Sequence, residues 1–351
     1  MIDLQVFAKL RHMFGHGHLS DVGYDANSPT TAHLYRYRTS AESHFVKVIN
    51  SYRQWPMIEF IAAGFRRLAL ETDLWRYEAD VYLGDLRGSL PPGLRLPELH
   101  GIEVLDDDHL LLVVEDVQTV DLPWDADRYG HAAELLGRLA ARITRDDVLP
   151  AVALRSPGKF TPMMYEGLVQ QFFVPAILDE TVWTHPLIIG NAELNDDLRK
   201  LVDRIPALLD DLARRPQLMG HGDACPQNLL IDAPDSFVGI DWTPGGLVAA
   251  GDDLGQLLIG RAQAGELDVA GIANLRELVI GRYHAGLVAE GRSDITADDV
   301  RAGMDGALVI RSAFLSLPVG RLAEPVTPEL AQFVTDRIAL TRYLVGLGTS
   351  A

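Results

Sequence analysis

Cysteine and lysine are almost missing from this chain. Cys225 is the only cysteine among 351 residues, so no intrachain disulfide can form, as expected in a reducing compartment. Lysine occurs only at Lys9, Lys47, Lys159 and Lys200, and arginine carries the rest of the positive charge. Positive charge as a whole is in deficit. Lys and Arg number 31 against 49 Asp and Glu, a formal net charge of -18. A surface this acidic repels nucleic acid and anionic membranes, so neither is expected as a partner. It would attract a cationic small molecule. Long apolar runs are absent as well. The stretch at 110–114 is among the longest and is far too short to span a bilayer. The opening MIDLQVFAKL lacks the basic start and apolar run of a secretory signal, and a cytoplasmic location is expected.

What is present is ordinary for a folded soluble protein: 48% hydrophobic and 23% charged residues. The length exceeds one compact core and suits a two-lobed unit. Residues 34–38 and 44–49 read as strands around a polar turn at 39–43. Helical patterning follows at 57–70 and at 72–86, the latter with Trp75, Ala79 and Tyr82 at helical spacing. Residues 99–105 and 109–115 are again strand-like, joined by the solvated acidic turn Asp106-Asp107-Asp108. Together these predict a small α+β lobe.

From Asp121 onward the chain turns mainly helical. Residues 125–143 place Tyr129, Ala132, Leu136, Leu139 and Ile143 on one face, and 194–205 and 274–288 are similar. Thr296 with Asp299 approximates a capping box, and Thr327-Pro328 is an N-cap followed by proline. The helical run breaks between residues 217 and 242, where a β-hairpin is expected to present side chains from its loops. The change at 117–120 divides an N-terminal lobe, 1–118, from a larger helical lobe, 119–351.

The hairpin region carries the chemistry. It reads His221-Gly222-Asp223-Ala224-Cys225-Pro226-Gln227-Asn228, followed by Val238-Gly239-Ile240-Asp241-Trp242. Phosphoryl transfer needs a carboxylate at the attacking hydroxyl and oxygen ligands for a magnesium ion that bridges the phosphates. One Asp opens this loop, an Asn follows five positions later, and a second Asp lies beyond a short apolar strand.

H-G-D-x-x-x-x-N followed by Ile-Asp resembles the catalytic loop and metal site of the aminoglycoside phosphotransferase and choline kinase superfamily, which has a protein-kinase-like fold. Protein kinases have H-R-D and D-F-G at these places. Here Gly222 stands for the Arg, Asp241-Trp242-Thr243 stands for D-F-G, and no A-P-E segment follows. The small-molecule branch is therefore the better match. The resemblance implies that Asp223 is the catalytic base or hydroxyl-orienting carboxylate and that Asn228 and Asp241 are the magnesium ligands. It implies that His221 braces the loop and that Asp253 supports it from the next helix.

Such a site also needs a cation on the nucleotide's phosphates. Lys47 lies mid-strand in Phe45-Val46-Lys47-Val48-Ile49, and an ammonium there must find a carboxylate, because burial of an unpaired charge is costly. The resemblance makes it the phosphate-binding lysine. Glu78 is its expected partner and Glu71 the competitor, with room for an inserted helix between Lys47 and Glu78. Glu115 and Val117 fall where the resemblance puts the interlobe hinge, whose backbone would bind the adenine. The phosphate-covering loop should lie between Asp21 and Thr31. It has Gly23 but no glycine-rich run, so Asn27, Ser28 and Thr30 are its other candidate donors.

His12, His16 and His18 are read as ordinary surface histidines and Cys225 as a small spacer. The resemblance implies an ATP- or GTP-dependent O-phosphotransferase. Its acceptor would be a hydroxyl-bearing small molecule such as an aminoglycoside or other antibiotic, an amino sugar or a sugar. Acidic side chains from the helices after Asp253 are expected around the acceptor. The competing reading is a nucleotide-binding pseudokinase that acts as a regulatory module, against which stand Lys47, Asp223, Asn228 and Asp241, all present.

Overall fold

Period-two alternation builds the first lobe. The computed structural model describes residues 2–23, 28–143, 160–242 and 246–350. Asn27 of the phosphate-covering loop and Thr243 lie outside the described residues. Five antiparallel strands, β1 (Gly17–Asp21), β2 (Thr31–Thr39), β3 (Ser43–Asn50), β6 (His109–Glu115) and β5 (Leu99–Val104), form one sheet in the order β1-β2-β3-β6-β5. In β3, Val46 and Val48 point to one face, where Leu111 and Val113 of β6 join them. The amphipathic helix Ile2–Phe14 covers that face with Val6 and Leu10. The alternate residues Phe45, Lys47 and Ile49 point to the opposite face, which looks toward the second lobe. Lys47 pairs in register with Leu112.

The expected strands of this lobe form. The expected helices are shorter. Residues 57–70 give a 3₁₀ turn at Ile58–Phe60 and then the helix Ala63–Glu71, because Ala62 is extended with ψ 135°. Residues 72–86 divide into a 3₁₀ turn, Leu74–Arg76, and the helix Tyr77–Leu83, which stops at the extended Gly84. The helix Ala63–Glu71 is the insertion for which the distance between Lys47 and Glu78 left room. The turn at 106–108 is a connector, not a loose loop. Asp108 accepts hydrogen bonds from the Ser51 hydroxyl at 2.5 Å and the Gln54 amide at 3.0 Å.

The second lobe is helical around small sheets. The helices Ala126–Ile143 and Val269–Ala289 pack closely, with Gly137 and Gly286 at the crossing, where a Cβ would strike backbone of the facing helix. Ala297–Ser316 runs through the core, capped by the reciprocal Thr296–Asp299 box that the sequence suggests. It is long and apolar enough to be tested as a membrane span, but Val300, Met304, Leu308 and Phe314 bury its apolar side inside the lobe. The helical run breaks where expected, at β7 (Gln217–Met219) and the hairpin of β8 (Leu229–Ala233) and β9 (Ser236–Gly239). Strand β4 (Leu94–Arg95) precedes β5 in the chain but pairs with β9, giving a sheet ordered β4-β9-β8. The two lobes are thus stitched by backbone hydrogen bonds as well as by the connection after β6.

Candidate active site

The β8–β9 hairpin fixes its flanks. The Ile240 amide donates to the Asn228 carbonyl at 3.0 Å, so the residues entering and leaving the hairpin lie side by side. Asp241 follows with φ 55°, the one positive-φ residue other than glycine among those described. A non-glycine side chain in that region costs free energy, and such strain concentrates at functional positions. Gly222 has φ 91°, a conformation that glycine adopts without steric cost.

Asp241 and Glu78 converge on Lys47. Its ammonium lies 2.6 Å from Glu78 Oε2 and 2.6 Å from Asp241 Oδ1. Burial alone would lower the lysine pKa, but the two carboxylates outweigh it and hold the ammonium well above its ordinary value. Burial pushes Glu78 upward, against the pull of Lys47. The Lys47 charge holds Asp241 below the usual carboxylate range. Asp241 differs from Glu78 in access: 53% of its side chain remains open, against 13% for Glu78. Glu71, the competing partner for Lys47, ends its own helix in an exposed position.

These groups line a cleft of about 480 Å³ between the lobes. Phe45, Leu112, Val114, Leu230 and Ile240 supply apolar walls, and Lys47, Glu78, Asn228 and Asp241 supply polar ones. Glu115 and Val117 line it as well. The Glu115 carboxylate is engaged by Arg95 at 2.6 and 2.9 Å, which lowers its pKa, while Arg95 Nε reaches Asp232 of β8 at 2.8 Å. Thr31 and Leu34, just past the expected phosphate-covering loop, also face it.

Asp223 stands beside Asn228. The Asn228 amide nitrogen donates to the Asp223 carbonyl at 3.0 Å and to Oδ2 at 3.1 Å. Because a carboxylate only accepts, the nitrogen must face it, and the amide oxygen is the atom left for a cation. The loop's backbone is held from below. Asp253 opens the helix Asp252–Gln263 and accepts from the His221 amide at 2.8 Å and the Gly222 amide at 2.9 Å. The buried His221 ring accepts the Asp223 N–H at 3.3 Å and lies on Trp242, ring centres 4.2 Å apart. Burial lowers its pKa to about 4, so it remains neutral near pH 7.

Gly220 leaves no spare room over Asp253. A Cβ there would stand 2.6 Å from Asp253 Oδ2. Gly220→Ala should therefore displace the carboxylate from its two amides and destabilise the fold by about 1–3 kcal/mol. Thermal unfolding measures this, and an unchanged midpoint would mean that Asp253 does not brace the loop.

Two neighbours of Asp223 escaped sequence reading. Gln256, on the Asp252–Gln263 helix, donates from Nε2 to Asp223 Oδ1 at 2.6 Å. Arg311, in Ala297–Ser316, donates to the Gly222 carbonyl at 3.0 Å and lies 3.5 Å from the buried Asp252, with Asp223 at 3.9 Å. Thr161 donates to Asp252 at 2.7 Å. Asp252, beside Asp253, is thus a buried carboxylate turned inward. The side chains these helices set on Asp223 are an amide and a guanidinium. Only the spacing of Gln256, three residues past Asp253 on one helix face, was visible beforehand. Among the described residues no group of three or more His, Cys, Asp or Glu forms a metal cluster, the N-terminal histidines included.

A small antiparallel sheet under one helix layer, a stitched hinge and a helical lobe bearing the loop at 221–228 make up the protein-kinase-like fold. No family model and no curated protein matches the chain. Solved structures of small-molecule kinases do. The amicoumacin kinase hAmiN, solved with AMP-PNP and Ca²⁺, superposes with a TM-score of 0.56 at 13% identity, covering 99% of this chain and 94% of that one. A thermostable mutant of the aminoglycoside phosphotransferase APH(4)-Ia, solved with AMP-PNP and hygromycin B, gives 0.53 at 13% identity, covering 99% of this chain and 100% of that one. The choline kinase LicA from Streptococcus pneumoniae gives 0.51 at 12% identity, covering 100% and 99%. At such identities the likeness establishes the fold.

Proposed function

We propose that this chain is an ATP-dependent phosphotransferase that moves the γ-phosphate to a hydroxyl of a small molecule. The observation that carries the reading is one cleft lined by Lys47, Glu78, Asn228 and Asp241, with Lys47 paired to both carboxylates and Asp223 bonded to Asn228. In this reading the apolar cleft holds the base of the nucleotide against the backbone near Val117. Lys47 meets its phosphates and Glu78 keeps the ammonium aimed. Asp223 accepts the proton of the acceptor hydroxyl while the new O–P bond forms and the bond to the β-phosphate oxygen breaks, releasing ADP. Asn228 and Asp241 offer hard oxygens that fit Mg²⁺, which when bound would neutralise charge on the phosphates. Neighbours of the same fold were solved with hygromycin B or spectinomycin, or are named for amicoumacin or choline. Hydroxylated molecules of that kind are the candidate acceptors, and the net charge of -18 suits a cationic one.

The test is ADP production from ATP and Mg²⁺ with a panel containing hygromycin B, spectinomycin and choline. Acceptor-dependent ADP supports the reading. A chain that binds nucleotide but yields none across a broad hydroxylated library is a binding module instead. The metal assignment has its own readout. Titration calorimetry should find ATP bound more tightly with Mg²⁺ than with EDTA, and equal affinities would remove Asn228 and Asp241 from the role of ligands.

A further inference from the structure

We propose that Gln256 is the positioning residue of the site, holding the Asp223 carboxylate in the plane it needs to receive the acceptor's proton. The inference rests on the phosphotransferase reading above.

A base acts only if its oxygen stays within hydrogen-bond reach of the hydroxyl, and an aspartate carboxylate turns easily about its last bond. Two donors, one on each oxygen, stop that rotation here. Asn228 takes Oδ2 at 3.1 Å, but it divides its nitrogen with the Asp223 carbonyl at 3.0 Å. Gln256 takes Oδ1 at 2.6 Å, the shortest contact the carboxylate makes among those described. Arg311 lies farther, at 3.9 Å, and its guanidinium also engages the Gly222 carbonyl and Asp252.

The position of Gln256 in the fold gives the contact its force. Asp253 and Gln256 are three residues apart on one helix and so share a face. The first holds the backbone of the loop through the His221 and Gly222 amides, and the second holds the side chain. A single rigid helix therefore sets both the height of the loop and the plane of its carboxylate. Gln256 is also only half-buried, whereas Asp253 is closed off. Its loss should disturb the chemistry more than the fold.

Two substitutions test this. Gln256→Met keeps the length and removes the donor. Gln256→Glu puts a second carboxylate against Asp223, and two such groups share a proton, which raises the pH at which the pair ionises. ADP formation from MgATP is measured from pH 5 to 9 with whichever of hygromycin B, spectinomycin or choline the parent chain uses. Gln256→Met should lower kcat on the order of 10- to 100-fold with the MgATP dissociation constant and melting midpoint unchanged. Gln256→Glu should move the acid limb of the kcat profile upward by about one pH unit or more. The inference is overturned if Gln256→Met keeps the parent kcat, or if both variants lose activity only in proportion to lost folded protein with the pH profile in place. Should the parent chain itself bind MgATP and make no ADP with any acceptor, the phosphotransferase reading falls and this inference with it, a result distinct from failure of the variants alone.

Discussion

Asp223→Asn will bind MgATP about as tightly as the parent chain and turn it over on the order of 10²–10⁴-fold more slowly, the loss expected for a general base. The substitution keeps the shape of the side chain but removes its capacity to take a proton. It also places an amide against two amide donors, Asn228 and Gln256, so one of the two present contacts must be lost. Asp223 is not among the residues that line the cleft proposed for the nucleotide, which is why affinity should survive. Asp241→Asn supplies the contrast. Asp241 lines the cleft, bonds Lys47 and is open to a cation, so its variant should lose metal-nucleotide affinity together with turnover. The measurement is a pair of dissociation constants and turnover numbers. Reversed behaviour would exchange the two roles, and full activity in both variants would end the phosphotransferase reading.

Lys47→Met should damage both stability and chemistry. The lysine is nearly closed off and Glu78 with it, so its removal leaves a buried carboxylate without its partner. Breaking one side of a buried pair costs about 3–5 kcal/mol. Loss of a preorganised cation from the phosphates should cost on the order of 10²–10³-fold in turnover besides. Glu78→Gln is the milder counterpart, since Lys47 keeps its 2.6 Å contact with Asp241. Denaturant unfolding and ADP production together read the two effects. A Lys47→Met protein as stable and as active as the parent would show that the pair neither holds the lobe nor serves the site.

Much of the site was visible in the chain because its residues are close in sequence or governed by a local rule. Asp223 and Asn228 share one loop. Asp241 follows one short strand. Lys47 stands out because lysine is scarce and strand alternation turns it away from Val46 and Val48. The helices near 57–86 were legible in kind but not in length. Their ends fall where the backbone leaves the helical region, at Ala62 and Gly84.

Local pattern alone thus determined β2, β3, β5 and β6 of the first sheet but not β1, the helical character of the second lobe, the capping box at Thr296 and the break in the helices that holds the loop at 221–228. The tertiary structure decided which distant groups meet. It set Glu78 against Lys47 and left Glu71 exposed at the end of its own helix. It tied Glu115 to Arg95, and it set Gln256 and Arg311 on the loop at 221–228 from two separate helices. Those pairings span from 20 to 89 positions in the chain. Periodicity reports which face a side chain takes on its own element. It carries no information on which other element that face will meet, and that is settled only when the lobes pack.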